Sequence, residues 1–167
     1  MKQKRDDGLK KKLAELGPGW TGGTLLYVPI FGQLVAVFVG SPDGAIKFLE
    51  KGGKGDSIAA QLRVDPVEEA AGQTLYGEGM TLILLQKYWG GGDETALVHE
   101  CLHVANRMLR DRGIEPDPHA EMLAWLQQYL VGAVKWRFSS GNFLTVKDGK
   151  RSLPLEKPEM SNMIFPG

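Results

Sequence analysis

The stretch Thr95–Gly113, TALVHECLHVANRMLRDRG, decides how the rest of the chain is read. It carries two of the protein's three histidines. They stand one helical turn apart with a glutamate directly after the first: His99-Glu100-Cys101-Leu102-His103. At about 100° per residue, Ala96, His99, His103, Asn106 and Arg110 fall on one stripe. Leu97, Val98, Cys101, Leu102, Val104, Ala105, Met108 and Leu109 cover much of the remaining surface. This pattern predicts a core helix with one polar seam. Asp93 suits its N-cap and Glu94 the positive end of its dipole. Gly113 suits the left-handed position past its end, with Ile114 packing back.

Histidines at i and i+4 point the same way, close enough for both imidazoles to hold one ion. Zinc takes a few nitrogen or oxygen ligands and, in catalytic sites, leaves one position open. Glu100 is offset around the helix, so it approaches a metal-activated water rather than the metal. There it would act as general base, taking a proton and passing it to a leaving amine. A third ligand is required, and Asp117, His119 and Glu121 follow the glycine. Glu121 is preferred, because Glu121, Trp125, Gln128 and Gly132 form a stripe on the next helix that could face the histidine seam. The bland alternative is a core helix whose histidines are satisfied by hydrogen bonds. Cys101 lies on the apolar side and reads as a packed thiol. His119, Arg110 and Tyr129 are candidate donors to a developing oxyanion.

The flanking sequence supplies strands and short helices. Leu9, Leu13 and Leu16 have helical spacing, ended by Gly17-Pro18-Gly19. Thr24–Ile30 and Gln33–Val39 predict a hairpin across Phe31-Gly32. Ser41-Pro42-Asp43 starts a short helix that stops at Gly52. Gly52 to Asp56 reads as a connector, and Asp65-Pro66 as the start of another helical segment closed by Gly72. Gln73–Tyr76 and Met80–Lys87 read as strands joined by Gly77-Glu78-Gly79. Asp117-Pro118 opens a long helix running to about Lys135 or Phe138, and Lys147-Asp148-Gly149-Lys150 is a tight-turn signal.

Composition bounds the function classes. A chain of 167 residues, 43% hydrophobic and 24% charged, suits one soluble domain with a core that needs no disulfide. Lys plus Arg balances Asp plus Glu at 20 each, so whole-chain charge points to neither nucleic acid nor membrane. Lys2, Lys4, Arg5, Lys10, Lys11 and Lys12 read as a solvated N-terminal segment. No apolar h-region follows them and no apolar run reaches the roughly 18 residues of a membrane span, so the expectation is a cytoplasmic protein without a signal peptide. The single cysteine excludes an internal disulfide and a multi-cysteine metal cage. The tryptophans show no repeated stacking pattern for nucleic acid.

An HExxH helix ended by glycine and followed by a helix bearing Glu resembles the zincins, and within them the gluzincin ligand set: His99, Glu100, His103 and Glu121. The fuller string ETALVHECLHVANRMLRDRGI…HAEMLAWLQQYLVG is also similar to small metallopeptidase-like proteins of bacteriophages and prophages. In those, an HExxHA helix, from which Val104-Ala105 departs here, precedes an EAxAYL-type helix, which Glu121 to Leu126 resembles with Met for Ala and Trp for Tyr. The metzincin continuation is not met, since Asn106 stands in place of Gly and Leu109 in place of His. The similarity covers roughly Met80 to Gly132. It implies an α+β fold, with a small mixed or antiparallel sheet packed on the HExxH helix and a following long helix. Residues 1–153 would form a single zincin-like domain and residues 154–167 an extended tail. The strand near Met80–Lys87 would border the cleft and pair with an extended peptide. The resemblance further implies a Zn2+ cofactor and a peptidase or amidase with Glu100 as general base. It implies a protein or peptide substrate and, for a phage-encoded chain, the cytoplasm of the bacterial host. The competing expectation is a phage structural or assembly protein with a non-catalytic zinc and a phage or host protein partner.

Overall fold

Gly22–Val28 (β1) and Gln33–Val39 (β2) pair antiparallel along their whole length, Gly22 opposite Val39 and Val28 opposite Gln33. They belong to a computed structural model that describes residues 22–52, 55–65, 71–86, 95–141, 143–147 and 150–151. The turn between them closes through the Phe31 N–H on the Val28 carbonyl and the Gly32 N–H on the Pro29 carbonyl. Strand β1 ends just before Pro29, which has no N–H to give a ladder.

Next comes α1, Pro42–Gly52. The Ser41 hydroxyl accepts the Gly44 N–H at 3.1 Å, so Ser41 is the N-cap and Pro42 the first helical residue, as the sequence predicts. The following stretch adds to the sequence reading: a helix, α2, occupies Asp56–Val64. Its cause is the compact apolar set Ile58, Ala59 and Leu62, all buried on one side. Arg63 of α2 pairs with Glu50 of α1.

Gly72–Gly77 (β3) and Met80–Leu85 (β4) form a second hairpin, Gly77 opposite Met80, with Gly79 at φ 70° in its two-residue turn. β4 then lies parallel to β2, Leu34 opposite Met80 and Val39 opposite Leu85. Helix α3 spans Thr95–Asp111, a 3-10 turn spans Asp117–His119 and α4 spans Ala120–Ser139. Leu144–Lys147 (β5) pairs with β1, and Lys150–Arg151 (β6) with β5. The sheet order is β3-β4-β2-β1-β5-β6. The strand expected to border a cleft, Met80–Leu85, is therefore internal, flanked by β3 and β2. Its six residues are all buried, as a strand covered on both faces requires. β3 is one edge of the sheet and β6 the other among the described residues.

Strand alternation divides the core in two. Leu26, Val28, Val35, Val37, Val39, Ile83 and Leu85 face α3 and α4. Ala36, Phe38, Leu75, Met80, Leu82 and Leu84 face α1 and α2. The result is an α+β fold with a mixed sheet between two helical layers, and α3 packs with α4 on one of them. The sequence reading contains the α3–α4 layer; the opposite layer is an addition to it. No helix among the described residues is long and apolar enough to cross a membrane. The Leu9–Leu16 helix, the Pro66 helical start, Lys87, Asp93, Glu94, the Asp148-Gly149 turn and the tail 154–167 lie outside the described residues.

Burying acids in neutral form has a consequence at high pH. Cys101 is fully buried, and burial, with a smaller contribution from Glu100, pushes its thiol from 9.0 up to about 12. Burial likewise raises the Tyr76 and Tyr129 phenols above 10.0. Between the unfolded and folded values the native state holds more protons than the unfolded chain, so stability falls as pH rises. Denaturant titrations at pH 7 and at several points above 9 should show this decline. Cys101→Ala should remove up to about 1.4 kcal/mol per pH unit from its slope. An unchanged slope would refute the assignment to Cys101.

Candidate metal centre

Helix α3 ends as its sequence dictates. The Ile114 N–H reaches the Leu109 carbonyl and the Gly113 N–H the Arg110 carbonyl, both at 2.9 Å, with Gly113 at φ 70°. This is a Schellman motif, and Ile114 packs against the core behind it. The inner stripe of α3 is Leu97, Cys101, Val104, Ala105, Met108 and Leu109, all buried. That stripe turns the polar seam outward, so His99 and His103 are exposed. Their Nε2 atoms lie 3.0 Å apart, the rings 4.6 Å between centroids and nearly perpendicular. At that distance the two rings share a hydrogen bond, one Nε2–H donating to the other Nε2 according to the tautomer.

Glu100 points the other way. It is 6% exposed and lies against the edge strand, where the Thr74 hydroxyl donates to its Oε2 at 2.5 Å. Gly72 makes the approach possible: a Cβ there would stand 2.9 Å from Glu100 Cγ and 3.2 Å from Oε1. Two residues past Thr74, the Tyr76 hydroxyl donates to the His103 carbonyl at 3.3 Å. The Arg107 guanidinium sits 5.1 Å above the Tyr76 ring, and its Nε reaches Asp111 Oδ1 at 3.0 Å. Gly72, Thr74 and Tyr76 are alternate residues of β3, so one face of the edge strand meets Glu100, His103 and Arg107 in succession. Burial chiefly raises the Tyr76 pKa; Arg107 opposes this, and Glu100 and Asp111 add to it. The sequence reading names neither Thr74 nor Tyr76 as a site residue. Their only signal was strand alternation, which says that they share a face but not what lies on it.

Helix α4 is tied beside α3 by the Gln127 side chain, which donates to the Val98 carbonyl at 3.0 Å. It buries Leu126, Tyr129, Leu130, Val134 and Phe138. The stripe Glu121, Trp125, Gln128 and Gly132 is exposed on α4. Glu121, His119 and Asp117 are all exposed. Among the described residues, no three His, Cys, Asp or Glu side chains gather to hold a metal ion. The structure brings His99 and His103 together and sets Glu100 beside them on the helix, but it does not join Glu121, His119 or Asp117 to that group. Of the expected oxyanion donors, Tyr129 is a buried residue of α4, while Arg110 and His119 are exposed.

No family model matches this chain, and no curated protein or solved structure is significantly similar to it.

The Glu100–Thr74 contact predicts its own stability effects. Thr74→Val leaves a buried carboxylate without its hydroxyl donor and should cost about 1–3 kcal/mol in denaturant unfolding, whereas Thr74→Ser should cost less. Gly72→Val, which drives a side chain into Glu100, should destabilise further. Equal stability of Thr74→Val and wild type would show that the hydrogen bond contributes nothing.

Proposed function

We propose that the protein is a zinc-dependent peptidase or amidase in which His99 and His103 hold the metal and Glu100 is the general base. One observation carries this reading: the two exposed imidazoles of the HExxH turn converge through their Nε2 atoms at 3.0 Å. Two nitrogens on one tetrahedral zinc stand about 3.3 Å apart at ordinary Zn–N lengths. The pair therefore fits two ligand positions after a small opening. Bound there, zinc would supply Lewis acidity, polarising a carbonyl and acidifying water.

The chain's own residues provide the rest. Glu100 has a carboxylate anchored at Oε2 by Thr74. In this reading Glu100 would take a proton from water and return it to a departing amine, which requires its carboxylate to turn from β3 toward the imidazoles. Glu121 is the proposed third ligand, with His119 and Asp117 as rivals. All three follow directly on the loop from α3, and each would need the start of α4 to shift toward the pair, a rearrangement that metal binding can drive. The substrate in this reading is a protein or peptide.

A second reading, a phage structural or assembly protein with non-catalytic zinc, is favoured by the burial of Glu100. A carboxylate 6% exposed and held by Thr74 also serves simply to dock α3 on β3.

Metal analysis and peptide-library hydrolysis separate the two. Wild type should carry about one zinc per chain. His103→Ala should lose it; Glu100→Gln should keep it and lose turnover by a factor of ~100 or more. Glu121→Ala should weaken zinc binding more than His119→Ala. Wild-type protein without zinc, purified free of chelator, would refute the metal site. Zinc without turnover that depends on Glu100 would favour the structural role.

A further inference from the structure

The outward side of α4 carries a second, different surface. Met122, Trp125, Tyr129, Gly132 and Trp136 follow one another at alternating steps of three and four residues, the spacing of a helix–helix seam. Met122, Trp125 and Trp136 are 44%, 40% and 45% exposed. Tyr129 forms the floor, its ring stacked against that of Trp125 at 6.0 Å. Gly132 leaves open space where a Cβ would stand. Trp125, Tyr129, Lys135 and Trp136 also keep interactions within the chain, so the surface offered is the exposed remainder of each side chain.

Charge along the seam selects its partner. Glu121, Gln128 and Lys135 directly precede Met122, Tyr129 and Trp136, so they share one flank, and all three are exposed. The flank reads acidic, neutral, basic. When two such helices pack antiparallel, this flank meets its own copy. Gln128 then lies opposite Gln128, and Glu121 opposite the second copy's Lys135, twice over by symmetry. The same register sets Met122 over the gap at Gly132 and Trp125 over Tyr129. A parallel pair gains no such ion pairs, because the opposite flank carries Leu126 and Ala133. We propose that α4 forms the interface of an antiparallel homodimer. The interface rests on α4 alone and does not require the metal reading.

Sedimentation equilibrium of the full chain, treated with chelator so that metal cannot bridge copies, tests it. Wild type should dimerise with concentration. Gly132→Arg, whose side chain has room in the monomer, should weaken the dimer by on the order of 30-fold or more, and Trp125→Glu similarly. Lys135→Glu should weaken it through facing carboxylates, and adding Glu121→Lys should restore it. Thermal melts of each variant separate loss of the dimer from loss of the fold. A wild type that stays monomeric to its solubility limit overturns the proposal. So does a dimer indifferent to Gly132→Arg and Trp125→Glu, which would place the contact on another surface. A charge exchange that fails to restore the dimer overturns the antiparallel register.

Discussion

The rotation of α3 about its own axis is the constraint on which the site depends. Leu97, Cys101, Val104, Ala105, Met108 and Leu109 pack onto the sheet face made by Val35, Val37, Val39, Ile83 and Leu85. Burying each large apolar side chain is worth about 1.5–3 kcal/mol, against about 0.5–1.5 kcal/mol for a typical hydrogen bond. The apolar stripe therefore wins, and the polar residues take the directions it leaves. His99 and His103 are sent outward, and Glu100, a little more than a quarter-turn round from His99, is sent toward β3. Its carboxylate could not have been placed there without Thr74 to donate to it and Gly72 to make room.

The same rotation gives the three chemical residues different surroundings. The imidazoles of His99 and His103 are exposed to solvent. The carboxylate stands at a helix–strand contact, where its geometry is fixed. In the proposed hydrolytic reading the imidazoles would hold the ion and the carboxylate would act as base. The buried carboxylate equally serves to lock the helix to the strand, and turnover that depends on Glu100 separates the two uses.

Much of this was written locally in the sequence. Ser41-Pro42, Gly113-Ile114 and Gly79 each specify a backbone state, so the start of α1, the end of α3 and the second hairpin fall where the residues require. The unbroken apolar run of Met80–Leu85 also carried its message, since a strand buried on both faces belongs inside a sheet. The cleft-edge expectation for this strand rests on resemblance alone, and the apolar run contradicts it. Helix α2 was harder, because a nine-residue segment offers only Ile58, Ala59 and Leu62 as periodic signal. The convergence of His99 and His103 was legible from spacing alone. Thr74 and Tyr76 were not, because their partners lie on a helix far along the chain and depend on how α3 crosses β3.

Helix α4 shows why its orientation resisted a sequence reading. Apolar residues occur on more than one side of it: Leu126, Leu130 and Val134 inward, Met122, Trp125 and Trp136 outward. Such a helix has a weak directional pattern, and a stripe through Glu121 and Trp125 can be assigned to either side. The sheet resolves the ambiguity, because the compact aliphatic side chains fill the space over β1 and against α3 more closely than indoles can. The larger, partly polar rings are left at the boundary with water, where an amphipathic ring is least costly. Gln127 fixes the outcome by tying α4 to the Val98 carbonyl. Packing against one shared sheet thus gives α3 an outward face of convergent nitrogen donors and α4 an outward face of aromatic and sulfur-bearing side chains. The proposed metal site rests on the first of these outward faces and the proposed dimer on the second.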